Sequence, residues 1–388
     1  MKVGILSYYD VSQRDNGGSV RTYYLAKGLL THSDQVCIII PDRHVTSESV
    51  DGIKVRRIKG ILPYSLLRLF SNILGIADAR SLYLYDPSFL LRSFNAISQC
   101  DIIQVDTPVP AGAIISFMLA KIFRKSIVVD SHDAFQSLRL EHLKTLRKML
   151  EVWLERISYR CAKLILTVSE VDKRLITGYG IKPDNVVVIP NGVDTGTFKP
   201  EVDALRTKNQ YNLEEFQVIG FVGNMEYPPN QEAVQLISSN LVSNISNKIP
   251  GVRFLVVGRK PRQLPDNPYM IFTGIVENLV QILGTFDVAI APLLHGSGTR
   301  LKILEYFACG LPVVSTTIGT QGLETDSGIN ILIEDDMSVF SASVVRLLHD
   351  KALSIRIGRM ARQLVVEKYD WKTITDKLCT VYGNLLSK

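Results

Sequence analysis

The chain has 388 residues, 46% hydrophobic and 21% charged, which excludes extended disorder and is too long for one ordinary core, so two domains are expected. Its net charge of +6 is uneven: residues 1–195 hold 25 Lys and Arg against 19 Asp and Glu, and the remainder holds 19 of each. No basic clusters interleaved with aromatics occur, so the excess suits an anionic membrane surface, a phosphate-bearing acceptor or a plain solvated face, and not nucleic acid.

The start, Met1-Lys2-Val3-Gly4-Ile5-Leu6, enters a strand directly instead of a signal sequence, and the apolar runs are too short to span a bilayer; a cytoplasmic protein is expected. Strands are predicted at 2–7, 35–41, 101–107, 126–130, 163–169 and 185–190, with 53–59 as a further strand or hairpin arm. Helical patterns lie at 19–31, 111–123, 140–161 and 171–179, and such alternation predicts a parallel sheet covered on both faces. Asn191-Gly192-Val193-Asp194 closes this half as a turn, and 195–216, polar and aperiodic, reads as a linker. The rhythm restarts with strands at 217–222, 252–257, 270–272, 287–292, 312–316 and 331–333, and helices at 232–247, 276–283, 299–309 and 337–349. Two more helices follow, split near Tyr369-Asp370-Trp371. The five cysteines are odd in number, widely spaced and mostly within apolar segments, so they read as reduced core residues without zinc spacing.

Within the second half, Gly296-Ser297-Gly298-Thr299-Arg300-Leu301-Lys302-Ile303-Leu304-Glu305 follows the apolar run 286–294. A small-residue turn there opens into a helix whose first turns carry two cations. Backbone N–H groups at a helix start favour phosphate; Arg300 can fork across phosphate oxygens and Lys302 can add a mobile charge. Glu305, one turn later, can accept hydrogen bonds from paired hydroxyls such as those of a ribose. A nucleotide diphosphate meets both demands. Earlier in the chain, Gly17-Gly18 precedes a helix without the Gly-x-Gly-x-x-Gly spacing; its amides could approach a phosphate or sugar hydroxyl, or the pair could form a left-handed turn. Asp130-Ser131-His132-Asp133 ends an apolar strand, where His132 is either a ligand contact, oriented by Asp133, or a structural or exposed residue. Glycines end further strands at Gly223-Asn224, Gly258-Arg259 and Gly274-Ile275.

The stretch from Gly296 through Glu305-Tyr306-Phe307-Ala308-Cys309-Gly310-Leu311-Pro312-Val313-Val314 resembles the signature of retaining glycosyltransferases of family 4 with the GT-B fold. There a Glu-x7-Glu pattern ends in Glu-Ala-x-Ala-x-Gly-x-Pro-Val-Val. Glu305 matches the second glutamate, Ser297 stands at the first, and Gly-Thr-Arg-Leu-Lys is similar to a subset of the family. The resemblance covers nearly the whole chain and implies an α/β protein of two doubly wound Rossmann-like domains facing a cleft. The N-terminal acceptor domain would span 1–195, completed by a helix at 370–388 that crosses back, and the nucleotide-sugar donor domain 196–369. It implies retaining transfer of a hexose from a nucleotide-diphosphate sugar, a co-substrate with no further cofactor, to a hydroxyl of a glycan or lipid-linked acceptor. His132 would then meet the donor sugar, with Gly17 and Gly18 beside it; Gly274 and Ile275 would line the base pocket near Arg259; and His295, Gly296, Ser297, Gly298, Thr299 and Leu301 would surround the donor, with Glu305 on the ribose. Many members carry an Arg and a Lys in the loop that here reads Gly223-Asn224-Met225-Glu226-Tyr227-Pro228-Pro229-Asn230. Both are missing, so Arg300 and Lys302 are expected to neutralise the leaving nucleotide, and no Asp-x-Asp beside a strand points to a metal.

Other readings fit the same residues. Ser297 in place of glutamate suits a catalytically impaired sugar-nucleotide-binding protein, and a GT-B-type sugar-nucleotide epimerase would use a similar site. The pattern 140–161 sets Leu143, Leu146, Leu150, Trp153, Leu154 and Ile157 in an apolar stripe among Lys144, Arg147, Lys148, Arg156 and Arg160. That stripe suits packing on the first sheet or peripheral contact with the inner face of a membrane. The apolar segment 61–85 is a candidate acceptor-side insertion, lid or core.

Overall fold

The computed structural model describes residues 1–14, 16–42, 44–61, 63, 65–66, 69, 86–106, 111–122, 124–132, 134, 145–200, 203–296 and 298–387. They form two compact units, Met1–Pro190 with Ile374–Lys388, and Asn191–Thr373. The divisions fall at Pro190 and Ile374, against 195 and 370 in the sequence reading.

In the first unit β1 (Lys2–Ser7), β2 (Gln35–Pro41), β3 (Thr46–Val50), β4 (Ile53–Ile58), β5 (Ile102–Asp106), β6 (Ile127–Ser131), β7 (Leu164–Thr167) and β8 (Val186–Val188) form one sheet, ordered β3-β4-β2-β1-β5-β6-β7-β8. Every neighbour pair is parallel except the β3–β4 hairpin, so 53–59 is at once a hairpin arm and a strand parallel to β2. Runs such as Val36-Cys37-Ile38-Ile39-Ile40 do not alternate because both of their faces are buried. Polar β3 closes one edge, where Thr46, Ser47, Glu48 and Ser49 discourage further pairing.

Helix Pro87–Ile97 was not anticipated, although its start is written locally: Asp86 accepts from the Ser88 amide at 2.9 Å, and Pro87 takes the first position, where a missing N–H costs nothing. Helix Thr145–Cys161 does not bury the whole of the predicted apolar stripe. Its buried face is Val152, Glu155, Ser158 and Tyr159, whereas Leu150 and Trp153 are exposed. Polar groups can occupy the inner face because they pair there: the Tyr159 hydroxyl donates to Glu155, and Ser158 Oγ lies 3.0 Å from Ser116 Oγ.

In the second unit β9 (Gln217–Val222), β10 (Val252–Val257), β11 (Met270–Phe272), β12 (Val288–Ala291), β13 (Val313–Ser315) and β14 (Leu332–Ile333) form a wholly parallel sheet, ordered β11-β10-β9-β12-β13-β14. The chain starts at the centre, works out to β11, then restarts on the other side of β9. Two apolar layers cover the sheet, one around Phe221, Phe254 and Phe340, the other around Leu255, Tyr306 and Phe307. The predicted helix 232–247 begins earlier, at Pro228, and reaches Ser246 through a wider turn at Ile237–Leu241. A short helix, Leu205–Gln210, lies in the stretch read as linker. Among the described residues no helix is long and apolar enough to cross a membrane, and all five cysteines are free thiols.

Candidate active site

In a doubly wound sheet the ligand crevice opens beyond the carboxyl ends of the strands where their order reverses, here between β9 and β12. The loop leaving β12 contains Gly296 and Gly298 at φ of +123° and +72°, values that ordinary side chains avoid. A Cβ on Gly296 would also lie 2.7 Å from Arg300 Nη2 and 3.0 Å from Tyr227 Oη. The turn is therefore folded tightly over the guanidinium. Arg300 is the extended cap of helix Leu301–Ala308, is 8% exposed, and donates from Nη1 to the Gly298 carbonyl at 3.2 Å. Thr299, expected inside the helix, precedes it and accepts a 2.6 Å hydrogen bond from Asn191 Nδ2. The helix is fastened to the sheet by Tyr306, whose hydroxyl accepts from the Val222 amide at 2.8 Å.

Lys302 is half-buried; its Nζ donates to Asn230 Oδ1 at 2.8 Å and stands 4.2 Å from the centre of the Phe221 ring. Burial, reinforced by the Arg300 charge, presses the ammonium pKa down to about 7. Burial likewise lifts the Glu305 carboxyl to about 7, against the pull of Lys302. The opposite charge acting on Lys302 is thus one turn away, through space. A phosphate bound beside the ammonium would restore its charged form. Around the same sheet edge, the Gly274 amide donates to the Gly258 carbonyl at 3.2 Å, and the neighbouring Ile275 is 77% exposed. Asn224, Arg259 and His295 are exposed, and Gly223 is buried against the Asn230 amide.

In the first unit the reversal falls between β1 and β5. Asp130 at the end of β6 receives Arg21 in a fork, Nη2 to Oδ1 at 2.8 Å and Nε to Oδ2 at 3.1 Å, with both side chains wholly buried. Arg21 Nη1 also donates to the Ile189 and Pro190 carbonyls at 2.9 and 3.0 Å. Asp106, ending β5, accepts from Ser7 Oγ at 3.0 Å and from Thr22 Oγ1. His132 Nε2 lies 3.1 Å from Asp106 Oδ1 and 3.3 Å from Asp130 Oδ2, and its ring stacks on Tyr9 with centroids 5.5 Å apart. Gln104 donates to Asp130 at 3.1 Å and accepts from the Tyr382 hydroxyl at 2.8 Å.

Burial alone would raise Asp130, but the Arg21 guanidinium holds it well below the usual carboxylate range. Burial would lower His132, yet the charges of Asp106 and Asp130 outweigh it and raise the imidazole.

Gly17 and Gly18 are the first two residues of helix Gly17–Leu30, which removes the left-handed-turn alternative. Asn16 caps the helix by accepting from the Ser19 amide at 3.0 Å. A Cβ on Gly18 would lie 2.2 Å from Tyr9 Cζ, so this glycine admits the ring that stacks on His132. Helix geometry leaves the Gly17 and Gly18 amides without intrahelical acceptors. Ser297, Asp133 and most of 61–85 lie outside the described residues. The sequence reading missed Tyr9, Asp106 and Arg21 as neighbours of His132. Asp106 carried a signal, a carboxylate ending the apolar strand Ile102-Ile103-Gln104-Val105.

The profile described as Glycosyltransferase Family 4 matches residues 15–197, and that described as Glycosyl transferases group 1 matches residues 216–350. The chain is 24% identical over 303 residues to the capsular polysaccharide biosynthesis glycosyltransferase CapM of Staphylococcus aureus, covering 73% of this chain and 77% of that protein. It is 28% identical over 273 residues to the UDP-Gal:alpha-D-GlcNAc-diphosphoundecaprenol alpha-1,3-galactosyltransferase of Escherichia coli, covering 65% and 67%. Its fold is similar to that of Anabaena Alr3699/HepE in complex with UDP and glucose, with a TM-score of 0.75, 16% identity and 99% of each chain covered. The chain belongs to family 4 of the glycosyltransferases, with the GT-B fold and a nucleotide sugar as donor.

Proposed function

We propose that the protein transfers a hexose, with retention of anomeric configuration and without a metal, from a nucleotide-diphosphate sugar to a hydroxyl of a glycan or lipid-linked acceptor. The observation that carries this reading is the start of helix Leu301–Ala308, where buried Arg300 and the half-buried Lys302 with its depressed pKa stand at the strand-order reversal. As the bond to the sugar breaks, negative charge grows on the β-phosphate, and fixed cations in a partly desolvated site stabilise that charge more than they stabilise the bound substrate. Glu305 is assigned to the ribose, Gly274 and Ile275 to the base, and His132 with Gly17 and Gly18 to the sugar. A uridine donor is the first to try, because one relative is named for UDP-Gal and one structural neighbour was solved with UDP and glucose. The lipid-linked acceptor is supported by the diphosphoundecaprenol in the same relative's name. Peripheral membrane contact is assigned to helix Thr145–Cys161, which exposes Met149, Leu150 and Trp153 beside Lys148.

A panel of nucleotide sugars tested for thermal stabilisation identifies the donor without an acceptor, since a bound ligand raises stability by RT ln(1 + [L]/Kd). Nucleoside diphosphate release on adding acceptor, with an NMR-assigned product anomer matching the donor, is the expected result. An inverted anomer would overturn retention, and binding without release would favour the impaired-binder reading. Flotation with vesicles containing phosphatidylglycerol, lost on Trp153→Glu, checks the membrane assignment.

A further inference from the structure

The loop leaving β9 carries neither of the cations that the family resemblance led one to expect there, yet it is built around one supplied from elsewhere. Asn230, third residue of helix Pro228–Leu236, is 6% exposed and uses both ends of its amide. Nδ2 donates to the Asn224 carbonyl at 2.8 Å, fastening the loop, and Oδ1 accepts from Lys302 Nζ at 2.8 Å. An ammonium only donates, which settles the end of the amide that faces it. Beneath the ammonium lies the Phe221 ring, one residue before the end of β9. Gly223 is required at the join, because a Cβ there would approach Asn230 Cγ to 2.9 Å.

Both supports are neutral. They can orient the charge of Lys302 without cancelling it, whereas a carboxylate in the place of Asn230 would pair with the ammonium and compete with any phosphate. The charged groups acting on Lys302, Arg300 and Glu305, both belong to its own segment.

We propose that Asn230 is a positioning residue for donor binding: with Phe221 it holds the Lys302 ammonium at the carboxyl end of β9, directing a cation of helix Leu301–Ala308 onto the diphosphate. This inference rests on the reading of Lys302 as a diphosphate contact.

The test uses the full chain with UDP, GDP and inorganic pyrophosphate as probes, titrated calorimetrically against Lys302→Ala, Asn230→Ala, the double variant and Asn230→Asp. Pyrophosphate has no base or ribose, so it isolates the phosphate contacts. Lys302→Ala is expected to weaken pyrophosphate binding about tenfold and Asn230→Ala about three- to tenfold, with the double variant no weaker than Lys302→Ala alone. Asn230→Asp preserves shape and an acceptor for Lys302 but adds a charge. It should weaken binding at neutral pH and shift the loss of affinity on raising pH to higher values, because the carboxylate holds the ammonium protonated. Additive losses in the double variant, or an unchanged pH profile in Asn230→Asp, would overturn the positioning role. Should Asn230→Ala not fold, the isosteric Asn230→Asp profile decides alone. Wild-type binding by Lys302→Ala would instead sink the diphosphate reading on which the inference rests.

Discussion

The carboxyl edges of the two sheets handle buried charge in opposite ways. In the first unit Arg21, His132, Asp106 and Asp130 neutralise one another, Gln104 donates to Asp130, Ser7 and Thr22 donate to Asp106, and Tyr382 holds Gln104. In the second, Lys302 leans on an amide and a ring, with Glu305 acting only through space and both groups pushed to about 7. A closed set of charges spends its electrostatic energy on holding side chains in place. An open one leaves a cation whose charged form is completed by a ligand. The first arrangement is suited to presenting His132 rigidly, the second to gripping an anion.

The sharpest way to break this contrast is to remove one charge from each side. Asp130→Ala strands a buried guanidinium and should cost about 3–5 kcal/mol in urea unfolding followed by circular dichroism, whereas Lys302→Met should change stability by less than about 1 kcal/mol. Equal losses would show that the two regions are held together alike. Next in size are the effects on turnover: Arg300→Ala should slow nucleoside diphosphate release about 100- to 1000-fold, and His132→Ala about 100-fold, measured with acceptor present. Normal turnover in Arg300→Ala would remove the guanidinium from leaving-group stabilisation.

A third measurement follows affinity against pH. Lys302, with its pKa depressed to about 7, loses its charge as pH rises through that value, and Glu305, raised to about 7, gains one over the same interval. Both changes disfavour an anion, so nucleoside diphosphate affinity should fall on going from mildly acidic to mildly alkaline solution, by at most about tenfold per pH unit for each group. Lys302→Arg should flatten the profile; a flat wild-type profile would place neither group at the phosphates. Smaller still, Glu305→Gln should weaken nucleoside diphosphate binding about three- to tenfold above pH 7, where the wild-type carboxyl is ionised, without weakening pyrophosphate, since only the nucleoside has a ribose to lose. Weakening of both ligands alike would argue against the ribose. The smallest expected effect is none at all: turnover should persist in excess EDTA, and its loss would contradict the metal-free proposal.

Much of the fold could be read from local pattern. Unalternating runs such as Val36 to Ile40 signalled strands covered on both faces, and helix Met337–His349 was legible from its periodicity, with Asp336 capping it. The glycines before Arg300 and the two cations at the start of helix Leu301–Ala308 could be read together, because they sit within a few consecutive residues. Helix Pro87–Ile97 was missed despite its Asp-Pro start, since it follows an apolar stretch without clear punctuation. The inner face of Thr145–Cys161 could not be read from the sequence because hydrophobicity alone cannot foresee that Glu155 and Tyr159 satisfy each other when buried.

What local pattern could not supply is which distant side chains meet. His132 was visible at a strand end, but Arg21 reaches its neighbour Asp130 across 109 residues, and Asn230 meets Lys302 across 72. Strand and helix formation depend on residues within a turn or two, so the amino-acid order alone was enough to place most of the elements, the strand ends and the cationic helix start. The partners that orient His132 and Lys302 depend on strand order and register, which arise only when the whole sheet buries its apolar faces; those contacts belong to the tertiary structure.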